Sequence, residues 1–244
     1  RSLCDWSSDV CSSDLGEQTP DRRAVENAFR RAASQSLAGL DVSTDVQPTA
    51  GDAASLTLEA NDRPPLALPG VRPTAESMEA AVRSVADSPL RQEIRSRLVD
   101  DWCILLLVAP KRTAVGGGVA EQIRAAAGGI VGEETELGKK IERGPHWIEI
   151  AGDDPAEAVA LWSLGLQPAA AEPRLAMLIG RGERRGPVLS GQDLTAEKVL
   201  EAVRMLGRSC SCTTDAAWAR GPRLPMRMNE GFDAAVKKEL GFDP

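Results

Sequence analysis

Tyrosine is absent from the chain, phenylalanine occurs three times and histidine once. One histidine excludes metal sites built from two or three imidazoles, and any relay that needs a spare one. No apolar stretch approaches the length of a membrane span. The longest, Trp102–Ala109, has the length of a buried strand. An excess of positive charge is also missing. The formal charge is −7, which argues against a nucleic-acid partner. Neither G-x-x-x-x-G-K-[ST] nor G-x-G-x-x-G occurs. What is present is 42% apolar residues, enough for a folded core.

The first fifteen residues stand apart from the rest. Asp5-Trp6-Ser7-Ser8-Asp9-Val10-Cys11-Ser12-Ser13-Asp14-Leu15 is the in-frame translation of a common short-read sequencing adapter. Residues 1–15 are therefore set aside from fold reasoning. Three of the five cysteines then remain: Cys103, Cys210 and Cys212.

An internal repeat organises the remainder. Thr74–Val85 aligns with Thr195–Leu206 at six identical positions of twelve. Each segment predicts a helix with Thr at the N-cap and an acid in the first turn. Each is preceded by two short apolar strands around a turn. Ser55–Ala60 and Leu66–Gly70 form one pair, Arg174–Ile179 and Val188–Gly191 the other. Strand, turn, strand, helix thus occurs twice. Upstream of the first pair, the patterning predicts a helix over 21–38 and a strand over 40–46.

The second half carries more elements. Trp102–Ala109 reads as a buried parallel strand. Gly116-Gly117-Gly118 opens a helix from about Val119, broken at Gly128-Gly129 and Gly132. A polar helix is expected from there to about Arg143, then a stop at Gly144-Pro145. His146–Ala151 is the next strand. Asp154-Pro155-Ala156-Glu157 reads as a helix start with Asp as cap, running to about Leu164. The hairpin and last helix complete a β-α-β-α-β-β-α order.

That order resembles the thioredoxin-like fold, fully over Trp102–Leu206 and partly over Asp21–Val85. The whole is similar to bacterial proteins with tandem thioredoxin-like domains, often exported. The resemblance implies an α/β chain of tandem thioredoxin-like domains outside the cytoplasm. The first, 16–88, is N-terminally truncated, lacks its opening strand and leaves an open sheet edge. The second spans 89–206, with Ser88-Pro89 restarting a helix at the junction. A tail, 207–244, carries Cys-x-Cys and a short helix with the stripe Phe232, Val236, Leu240. The resemblance also places Pro173, before the hairpin, at the family's cis-proline position.

The departure from the family lies in its redox motif. The loop Pro110–Gly118 holds no Cys where redox thioredoxins carry Cys-x-x-Cys at a helix N-terminus. Strand, glycine turn and helix make a generic anion site, but a plain tight turn accounts for the loop. In the resembled topology Cys103, His146, Cys210 and Cys212 fall at one pole, opposite the usual redox site. Three alternatives stand for them: inert packing thiols, a strained disulfide clamp, or a site for Zn or Cu(I). The C-x-C spacing departs from the C-x₂₋₄-C usual for tetrahedral metal. Met226 and Met228 nearby suit packing as well as copper. No acid pair has a diagnostic acid–base partner. The functional expectation is a non-catalytic scaffold or binding module with a protein partner and no cofactor. A thiol-redox or Cu/Zn carrier using Cys210 and Cys212 is the competing class.

Overall fold

A computed structural model describes residues 20–36, 43–45, 56–60, 63–68, 71–72, 74–110, 117–136, 138–166, 171–206, 218, 221–228, 231–232, 234–235 and 238. It is an α/β chain with two sheets. The first region comprises α1 (Pro20–Ser36), β1 (Ser43–Asp45), β2 (Leu56–Ala60), β3 (Arg63–Leu68) and α2 (Ala75–Ala86). Its three strands are antiparallel in the order β1-β2-β3. Phe29, Leu58, Met78, Val82 and Val85 meet in one apolar cluster, so α1 and α2 close on the sheet. The side chain of Thr74 accepts the Ser77 N–H, the cap its sequence predicts.

Ser88 caps α3 (Pro89–Arg97), with Pro at the first helical position. Leu90, Ile94 and Leu98 of this segment leave the first cluster and join the second sheet's core. That sheet has the order β5-β4-β6-β7. Its strands are β4 (Ile104–Ala109), β5 (His146–Ala151), β6 (Arg174–Ile179) and β7 (Glu183–Ser190). β4 runs parallel to β5 and antiparallel to β6, and β6 is antiparallel to β7. Every residue of β4 is buried, as expected for a strand covered on both faces. Odd-numbered residues Cys103, Leu105 and Leu107 pack against α4 (Gly117–Gly128) and α6 (Ala196–Met205). Even-numbered Ile104, Leu106 and Val108 pack against α3 and α5 (Ala158–Ser163). This is the period-two alternation of a strand dividing two layers.

β3 begins at Arg63 and β7 at Glu183, earlier than the expected Leu66 and Val188, and two further elements differ from expectation. The polar stretch after Gly132 is a small hairpin, with Glu134 bridged to Lys140, rather than a helix. Gly138, at φ +73°, makes its turn, a conformation costly for any residue with a Cβ. The start of α5 falls at Ala158, four residues beyond Asp154. The Asp154 carboxylate accepts the Ala156 N–H at 3.0 Å and closes a turn instead of capping a helix. Glu157 accepts the Leu90 N–H at 2.9 Å and so serves the N-terminus of α3.

α5 also joins the two regions. Val159 and Trp162 pack in the first cluster, Ala160 and Leu161 in the second. Trp162 Nε1 donates to Pro64 O at 2.7 Å, while Arg63 donates to Trp162 O at 2.7 Å and to Ser163 O. The Arg63 guanidinium lies 5.4 Å from the Trp162 ring centroid. Arg184 donates to Leu164 O at 2.7 Å. Two cations thus meet the negative end of α5. Among the described residues no helix is long and apolar enough to cross a membrane.

Candidate functional site

The pole where β4 and β5 begin holds the two described residues of the thiol–imidazole group. Their backbones touch: His146 N–H donates to Cys103 O at 2.8 Å. Their side chains do not meet. Ile104 is the register partner of His146, so His146 shares the α3/α5 face. Cys103, one residue earlier, faces α4 and α6. Period-two alternation therefore puts the sheet between thiol and imidazole, and the expected joint site is not formed by this pair.

Each group has its own surroundings. Cys103 is 1% exposed. Burial pushes its thiol far up, and the nearby Asp101 carboxylate pushes it the same way. At neutral pH it is a protonated, inaccessible thiol, unsuited to nucleophilic or ligand chemistry. His146 is flanked by carboxylates: Nε2 lies 3.3 Å from Glu93 Oε1 and Nδ1 lies 3.7 Å from Asp101 Oδ2. Among the described residues no group of three His, Cys, Asp or Glu side chains is placed to hold a metal. Cys210 and Cys212 lie outside the described residues, as does most of the loop before α4.

No peptide bond among the described residues is cis, so Pro173 enters β6 through a trans bond, contrary to the family pattern. Met226 is buried in the α3/α5 cluster and Met228 packs against it. Both act as gap-filling side chains, the packing alternative for these methionines.

Two features go beyond the expectations from sequence, which make the stretch after Gly221 an extended tail with packing methionines but name no partner for it. The first is Arg91, 1% exposed. Its Nε donates to Pro225 O at 2.8 Å, and its Nη1 donates to Ser88 Oγ at 3.2 Å and Ser84 O at 3.4 Å. Desolvation lowers its pKa to about 10, opposed by the carboxylates of Glu157 and Asp87. A signal existed: Arg91 lies three and seven residues before Ile94 and Leu98, on the apolar stripe of α3.

The second is the chain segment 221–228, which lies along the hairpin of β6 and β7. Arg184 N–H donates to Pro222 O and Leu224 N–H to Gly182 O, both at 3.0 Å. Arg223 forms an antiparallel bridge with Glu183. Leu224 and Met226 enter the core, and Phe232 follows them. Arg95 donates to Arg227 O at 3.1 Å. A side chain at Gly182 would collide with Met226, and its φ of +76° also favours glycine.

Comparison of the chain with protein-family models, curated proteins and solved structures returned no match.

Proposed function

We propose that the chain is a non-catalytic binding or scaffold protein, built on a thioredoxin-like unit at 102–206 with a related partial unit before it, and that its partner is a protein. The strand order β5-β4-β6-β7, with one parallel and two antiparallel pairs, supports the fold. The Thr-capped helices α2 and α6, each following an antiparallel hairpin, support the tandem arrangement.

One observation carries the functional half. Cys103 is sealed in the core with its thiol pushed up, while the loop before α4 has no cysteine. A redox thioredoxin needs an accessible thiolate at that helix N-terminus. The test is insulin reduction in the presence of dithiothreitol by the chain lacking residues 1–15. No acceleration over dithiothreitol alone is expected. Acceleration abolished by Cys210→Ser or Cys212→Ser would replace the proposal with a thiol carrier.

A further inference from the structure

The segment 221–228 has the attributes of a bound peptide rather than of a core element. It belongs to no helix or strand of the sheet, and its main-chain ties are of a general kind. Two antiparallel hydrogen bonds join it to residues 182–184 at the open side of the β6–β7 hairpin. Arg91 and Arg95 hold its carbonyls at Pro225 and Arg227. None of these bonds reads a side chain of the segment, but position 221 is restricted to glycine, because a side chain there would run into the backbone of Arg184. Beyond that glycine, selectivity rests on two apolar side chains, Leu224 and Met226, spaced two apart so that both face the core. They share a cluster with Leu90 and Ile94 of α3 and Leu178 of β6. Arg223 adds charge: its guanidinium lies 4.0 Å from buried Glu183. Main-chain pairing plus alternate side-chain pockets is the pattern of strand-addition recognition.

We infer that the groove between α3 and the β6–β7 hairpin is a peptide-binding site occupied in cis by residues 221–228. Its ligand in trans is an extended segment of a partner protein, with a basic residue followed by apolar residues at alternate positions. This rests on the binding-protein proposal above and names its site. The cis segment competes with the partner, because it docks within the same chain at high effective concentration. Partner binding requires its release.

The test uses the full chain and a fluorescent peptide, Gly-Pro-Arg-Leu-Pro-Met-Arg-Met, the sequence of the cis segment. The double variant Leu224→Asp, Met226→Asp frees the groove. It is expected to bind the peptide at least tenfold more tightly than wild type, and a peptide with Asp at both apolar positions is expected not to bind. A variant that melts cooperatively yet binds no tighter than wild type overturns the inference. Hydrogen exchange on the wild-type chain decides independently of the variant's folding. The Leu224 amide, bonded to Gly182 O, is expected to exchange well before the amides of β4 and β6. Equal protection makes the segment an integral part of the core and overturns the inference. Insulin reduction by the wild-type chain would instead sink the binding-protein proposal, and neither peptide affinity nor exchange measures it.

Discussion

Cys103 and Arg91 show how one side chain's chemistry is set by where the backbone leaves it. Cys103 is a small apolar residue in all but name. Alkylation mapped by mass spectrometry is expected to miss it in the folded chain and label it above the unfolding transition. Labelling in the folded state would contradict the sealed thiol. Arg91 is the opposite case, a charge kept inside by the carbonyls of Ser84 in the preceding helix and of distant Pro225, and by the field of buried Glu157. Replacing it with Met leaves those carbonyls without a donor and the Glu157 carboxylate with the Leu90 N–H but no nearby positive charge. Arg91→Met is expected to cost about 1–3 kcal/mol in denaturant unfolding. Adding Glu157→Gln should recover part of that loss, since the two groups are coupled.

Among the elements, α2 and α6 repeat one device. Thr74 accepts from Ser77 N–H and Thr195 from Lys198 N–H. Thr74→Ala and Thr195→Ala are each expected to cost about 1 kcal/mol, measured by urea unfolding. The hairpin after α4 is fastened to α6 by Glu133 and Arg204, whose guanidinium grips the carboxylate at 2.6–3.1 Å. That hydrogen bonding, helped by the Arg204 charge, holds the Glu133 carboxyl below its ordinary value against an opposing desolvation. A carboxyl depressed in the fold contributes stability above its unfolded value, and loses it as pH falls through the folded value. The stability advantage of wild type over Glu133→Gln should therefore hold at neutral pH and vanish in acid. An advantage that grew on acidification would contradict the pair.

Across the whole molecule, α5 serves two cores at once, and its C-terminal carbonyls are met by Arg63 from one side and Arg184 from the other. Trp162→Phe keeps an aromatic ring, smaller than the indole, and deletes the bond to Pro64 O. About 1 kcal/mol of stability is expected to be lost. The loss should be read as faster hydrogen exchange in β2 and β3 than in β4 and β6. Uniform acceleration through both sheets would place the effect elsewhere than at this junction.

Local signals in the sequence determined the strands His146–Ala151 and Arg174–Ile179, the Ser88-Pro89 restart and both Thr caps. Each depends on residues within a few positions of one another, where propensity and capping act directly. The α/β class followed from their order. Only the tertiary structure decided what long-range partners demanded. Glu157 left its own helix to serve α3, and Asp154 closed a turn. Cys103 and His146, neighbours at one pole, were put on opposite faces by a one-residue offset in register. The tail fixed its place through carbonyls held by Arg91 and Arg95, and through a glycine notch that admits Met226. The apolar stripe of α3 announces that Arg91 is buried, but no periodicity or spacing announces the partners in these contacts, because each joins residues that only folding brings together.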